Sequence, residues 1–227
     1  MNGLRLGVLT SYINHTVDET SPEVSKLFEK SVIQLQAAGV HIITVDEPSF
    51  HPQNLSKAEV LLHEFHQFFN IYLSQPSHSS CPSISSLLAS PLIDSIAVGP
   101  TWQLAFNLST SDPSYSIRVA RIEYIKLLFA RLFAENKLDG LVYPHQTVLV
   151  ARVGAKLQPG RNGLLTSLTG TPGVVVPMGM STSSESAKGG VPAGMEVVGL
   201  WGMDWKILGI AKEVEQLLSG RRTPALE

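Results

Sequence analysis

The 227-residue chain is long enough for one large domain or two small ones, and its 44% hydrophobic content excludes a disordered tail. Charged residues make up only 16% of it, against roughly 25% in an average soluble domain, so part of its surface is expected to be covered by self-association or by a partner chain. With 17 Lys and Arg against 19 Asp and Glu the net charge is −2, which leaves no basic excess for phosphates and argues against nucleic acid as a ligand.

The first strand is expected almost at once, over Leu4 to Thr10, as though the sequence enters inside a fold. Ser21 is placed to cap a helix with Pro22 at its first position. Val24, Leu27, Phe28, Val32 and Leu35 then recur at helical spacing until Gly39 ends it. His41 to Val45 reads as a second strand, and the strand-helix-strand unit predicts parallel pairing. Residues 55–73 read as one helix, and 74–90, rich in Ser with Pro76 and Pro82, as an irregular connection. A long helix is predicted from Asp112 and Pro113 to about Lys137, with Ile117, Ile122, Ile125, Leu128, Phe129, Leu132 and Phe133 on its buried stripe. Beyond it come a strand at 141–144 ended by Pro144, a short helix at 163–168, strands at 173–176 and 195–200, the first ended by Pro177, and a last helix over 204–218.

No leader sequence and no run of about 18 apolar residues is visible, so no membrane span is expected and a cytoplasmic setting is the default. The single Cys81 cannot form an internal disulfide, which agrees with that default. Three Asn-x-Ser/Thr sequons, at Asn14, Asn54 and Asn107, would matter only in a secretory compartment.

Cofactor chemistry finds little support. The turn after the first strand, Thr10-Ser11-Tyr12-Ile13-Asn14, has no glycines to cradle a phosphate. His63 and His66 stand at i and i+3, one short of the zincin spacing, and His78-x-x-Cys81 follows without a cysteine knuckle, so a structural role is expected for them and no metal. Paired serines and a lysine occur together in Ser183-Ser184-Glu185-Ser186-Ala187-Lys188, but between two predicted strands that is loop composition. Nothing spells the Gly-x-Ser-x-Gly elbow.

Three stretches are specific in order and type: Asp139-Gly140-Leu141-Val142-Tyr143-Pro144; Arg161-Asn162-Gly163 running through Thr169-Gly170-Thr171-Pro172-Gly173-Val174-Val175-Val176-Pro177; and Gly190-Val191-Pro192-Ala193-Gly194-Met195-Glu196-Val197-Val198-Gly199. Together they resemble the carboxy-terminal half of the amidase signature enzymes. The resemblance extends over essentially the whole chain, strongest at 139–218 and weak at 46–112. It implies an α/β fold, a partial twisted mixed sheet with surrounding helices that lacks the amino-terminal half of that fold, as one amidase-like domain over 1–227 with 74–112 an irregular connection.

The resemblance also implies amide hydrolysis by a serine nucleophile, a second serine in a cis peptide and a lysine base. A serine hydroxyl needs that base, and the tetrahedral oxyanion needs preset donors. Those residues precede the matched region and have no counterpart in this sequence. The expectation is an amidase-related chain, truncated relative to the family, that is a pseudoenzyme by itself. The alternative is a noncatalytic binding or assembly subunit that lends a substrate-pocket surface to another chain, and a hydrolase with a relocated nucleophile stands third. A small amide or acid is the expected ligand. His145, Gln146, Arg161 and Asn162, just past a strand's carboxyl end and at the mouth of a helix, are the expected substrate-binding residues. Against this stands a local role, with Arg161 capping or pairing nearby and His145 and Gln146 serving buried backbone. Trp201, Met203 and Trp205 are expected to serve core or domain packing rather than to contact substrate.

Overall fold

A computed structural model describes residues 1–13, 17–78, 80–94, 102, 104–155, 158–182 and 189–223. The Ser/Lys window at 183–188, the sequon at Asn14 and the side chain of His78 lie outside the described residues. The described residues form two compact units, Met1–Ser56 with Ile125–Glu227, and Lys57–Tyr124.

The first unit is built on a five-stranded mixed sheet in the order β2-β1-β3-β5-β4. Its strands are β1 (Arg5–Leu9), β2 (His41–Val45), β3 (Gly140–Pro144), β4 (Gly173–Met180) and β5 (Pro192–Val198). β1 pairs parallel with both β2 and β3, while β5 runs antiparallel between β3 and β4. β1 and β2 are joined through α1 (Ser21–Ala37). Thr20 takes the cap position, and the Ser21 hydroxyl instead accepts from the backbone N–H groups of Val17 and Asp18. Gly39, at φ +87°, turns the chain out of the helix at a backbone angle that other residues reach only with strain.

Alternation along the strands sends Leu6, Val8, Val142, Val176, Met195 and Val197 into one core, where they meet Val24 and Phe28 of α1 and Ile207, Ile210 and Val214 of the last helix. Phe50, Phe129 and Phe133 belong to a second buried set, with ring centroids 6.1 and 4.9 Å apart for successive pairs. Asp139 ties strand ends to a helix: it accepts from the Arg5 backbone N–H at 2.9 Å and from Lys206 at 2.6 Å. Burial opposes its charge, but these two partners outweigh that and hold its carboxyl below the usual range.

Three expectations are corrected here. The strand ended by Pro177 in the sequence reading continues to Met180. β4 is an edge strand, where a missing N–H is tolerated, and the register shifts between Pro177 and Gly179. The single helix over 55–73 is two helices, α2 (Pro52–Leu55) and α3 (Leu61–Leu73), separated by a 3₁₀ turn. Arg118 explains the break, since its guanidinium donates to the carbonyls of Lys57 and Glu59, which a continuous helix would have used itself. The irregular stretch contains a further helix, α4 (Ile84–Leu88), started by a capping box in which Ser83 and Ser86 bond reciprocally.

The long helix α5 (Pro113–Asn136) buries Ile125, Phe129, Leu132 and Phe133, whereas Ile117 is 69% exposed. A short helix, α6 (Leu164–Thr169), is closed by Gly170 in the left-handed region, and the last helix, α7 (Asp204–Leu218), has the bounds read from the sequence. Trp205 is 77% exposed, and Trp201, also exposed, donates its indole N–H to the Thr169 carbonyl at 2.8 Å.

Candidate functional site

The parallel strands β1 and β3 end side by side, and chemistry-bearing side chains collect past their carboxyl ends, where open α/β sheets place ligands. Beyond Pro144 the chain runs antiparallel to residues 160–162. Asn162 donates its backbone N–H to the His145 carbonyl at 3.0 Å and Thr147 to that of Gly160 at 2.7 Å, with Gln146 and Arg161 as the bridge pair. Directly opposed residues share a face, so Gln146 and Arg161 are brought together.

Asn162 turns inward. It is buried, and its amide donates to the Pro144 carbonyl at 2.7 Å and meets the Thr147 hydroxyl at 3.2 Å, bracing the turn that follows β3. Arg161 is exposed, and its side chain has no hydrogen bond or ion pair among the described residues. The four residues named from the sequence therefore fall into two settings. His145 and Gln146 line a concavity of about 220 Å³ with Val148, Val175, Pro192, Ala193 and Gly194, whereas neither the buried Asn162 nor the solvent-exposed Arg161 lines it.

His145 has a partner that was not singled out in the sequence. Its Nδ1 lies 2.8 Å from Oε2 of Glu196, and Glu196 Oε1 lies 3.0 Å from the Thr166 hydroxyl. The Glu196 side chain is 5% exposed and that of His145 is 40% exposed. A carboxylate only accepts, so a singly protonated His145 ring carries its proton on Nδ1. Two glycines make room for the pair: a Cβ at Gly163 would meet His145 Cε1 at 3.3 Å, and one at Gly173 would meet Glu196 Oε1 at 3.0 Å.

Tyr143, opposite Glu196 in the ladder, and Tyr12 are fully buried and meet edge to face at 4.8 Å. Both hydroxyls lack a well-formed hydrogen bond, as does that of Ser11. Burial first, and the Glu196 charge second, push both tyrosines above their usual range. The signal for this cluster was in the sequence: Glu196 is an acid inside the apolar run Met195 to Val198.

In the second unit, His63 Nε2 lies 2.8 Å from the Ser114 hydroxyl. A serine activated in this way needs a carboxylate on the other ring nitrogen, and His63 Nδ1 is buried without a partner. Asp112 accepts from the Ser114 backbone N–H at 2.8 Å, and the Ser114 hydrogen bonds keep its carboxyl low. The pair therefore reads as the start of α5 pinned to α3. Among the described residues no group of three His, Cys, Asp or Glu could hold a metal ion, and no helix is long and apolar enough to cross a membrane.

This mixed α/β sheet with its helices matches part of the fold of amidase signature structures. The chain superposes on the peptide amidase of Stenotrophomonas maltophilia with a TM-score of 0.73 at 23% identity, covering 99% of this chain and 45% of that one. A bacterial aryl acylamidase of the amidase signature family gives a TM-score of 0.66 at 16% identity, with 98% and 47% covered. In sequence the chain is 27% identical to the mandelamide hydrolase of Pseudomonas putida across 97% of this chain and 45% of the relative. Identity to the indoleacetamide hydrolase of Agrobacterium vitis is 22%, over 99% of this chain and 49% of the relative. The chain thus spans about half the length of the relatives it matches. No protein-family model matches it.

Proposed function

We propose that this chain supplies the substrate-pocket side of an amide hydrolase site and does not cleave amides by itself. The observation that carries the reading is the alignment of nearly the whole chain with about 45% of an amide hydrolase, taken with the Ser114–His63 pair, whose other ring nitrogen is buried with no carboxylate to orient it. Its ligand is a small amide or acid held by Gln146, whose amide both donates and accepts, with Arg161 near enough along the same bridge to meet a carboxylate. The test is direct. Purified chain is expected to leave aliphatic and aryl amides at the background rate, with no serine labelled by a fluorophosphonate. Amide turnover that survives repurification and labels a serine refutes the reading.

A second reading, a noncatalytic assembly subunit, is favoured by one feature of the first unit. Ile33, Leu127 and Leu208 are 60% or more exposed, as is Trp205. Such apolar surface is commonly covered by a partner.

A further inference from the structure

We infer that His145 is a nucleophile toward activated aryl esters, an activity that is separate from amide cleavage and needs no serine. The chain contains its own control. His145 and His51 are equally exposed, at 40% and 41%, and each has a carboxylate beside it. At His51 the partner Asp46 is 69% exposed and 3.6 Å away, too far for a hydrogen bond and free to reorient. At His145 the partner is 5% exposed and 2.8 Å away, and its other oxygen lies beside Thr166. A carboxylate at hydrogen-bond distance selects the Nδ1–H tautomer of one neutral imidazole, and the other has no such partner.

The surroundings select the substrate. The concavity at His145 is walled by Val148, Val175, Pro192 and Ala193, and its volume of about 220 Å³ suits one aryl ring. Nε2 attacks the ester carbonyl, the C–O bond breaks, and the phenolate leaves with its electron pair. The acyl group then stays on Nε2 while the Nδ1 proton remains in its hydrogen bond to Glu196. Water adds to this acylimidazolium, the C–N bond breaks, and carboxylic acid and free imidazole return with release of the one proton that balances the departed phenolate. A nitrophenolate departs without protonation, whereas an amine must be protonated to leave, so this step favours activated esters over amides.

The experiment follows p-nitrophenyl acetate hydrolysis by the full chain and by His145→Gln, His51→Gln and Glu196→Gln. Wild type is expected to exceed His145→Gln by at least about tenfold, with His51→Gln at the wild-type rate. Diethyl pyrocarbonate, which leaves a stable adduct on an unprotonated imidazole nitrogen, should modify His145 ahead of His51 by peptide mass spectrometry. Glu196 is a positioning residue, read out through the ¹⁵N shifts of the His145 ring: these report the Nδ1–H form in wild type and a mixture of tautomers in Glu196→Gln. Equal ester rates for wild type and His145→Gln, equal modification of His51 and His145, or an Nε2–H ring in wild type each overturn the assignment. Because amides are assayed separately, the esterase and the amidase-related readings fail independently.

Discussion

Asn162 and Arg161 are neighbours with opposite fates. Asn162 has its amide inside the fold, so Asn162→Ala strands the Pro144 carbonyl and the Thr147 hydroxyl. It is expected to lower stability by about 1–3 kcal/mol. Arg161→Ala removes an exposed side chain and should change stability by less than about 0.5 kcal/mol. Urea unfolding midpoints of the two variants check both values, and equal losses would remove the bracing role from Asn162. The two buried tyrosines make a pH prediction. Their hydroxyls stay neutral in the fold and ionise near about pH 10 in the unfolded chain, so their folded-state values are raised. The stability they contribute is fully present below about pH 10 and is lost as pH rises above it. Absorbance at 295 nm should show two of the five tyrosines ionising only as circular dichroism is lost. Ionisation of all five with the fold intact would contradict it.

At the scale of elements, burial decides which positions of a helix matter. Phe28 of α1 is 0% exposed and sits against Val8 and Val197 in the core. Its truncation to Ala is expected to cost about 3–5 kcal/mol. Ile117, placed on the buried stripe of α5 by periodicity, is 69% exposed, and Ile117→Ala should fall within about 0.5 kcal/mol of wild type. Thermal or urea denaturation separates the two, and comparable losses would mean that the stripe continues to the start of the helix. The edge strand β4 is a case where local rules and context diverge. A proline breaks a central strand, but on an edge the bulge at Pro177 and Gly179 absorbs it, and pairing with β5 resumes at Met180.

For the whole chain the exposed apolar surface sets the expected behaviour. A groove of about 380 Å³ between β1 and α1 is lined by Val8, Ile13, Phe28, Val32 and Ile33, with Glu29 at its rim. Trp205 and Leu208 lie exposed on α7. Purified chain is therefore expected to self-associate or to bind a hydrophobic dye at micromolar concentration. Sedimentation velocity and dye fluorescence measure this. A monodisperse monomer with a cooperative melt and no dye binding would show instead that the chain has closed its own core.

The sequence by itself determined the order of the five strands, the parallel β1-α1-β2 unit, the bounds of β2 and α7, and the resemblance to amidases, because each rests on local periodicity, caps and ordered motifs. It also named candidate residues in the turn after β3. Tertiary structure decided the rest, for a physical reason that recurs in each case. The break before α3 depends on Arg118, about 60 residues away in sequence, and the survival of β4 past Pro177 depends on its edge position. The pairing of His145 with Glu196 depends on two strands meeting across 51 residues. Periodicity reports which side chains share a face, but only the packed fold settles which faces meet, and the imidazole-carboxylate pair exists only where they do.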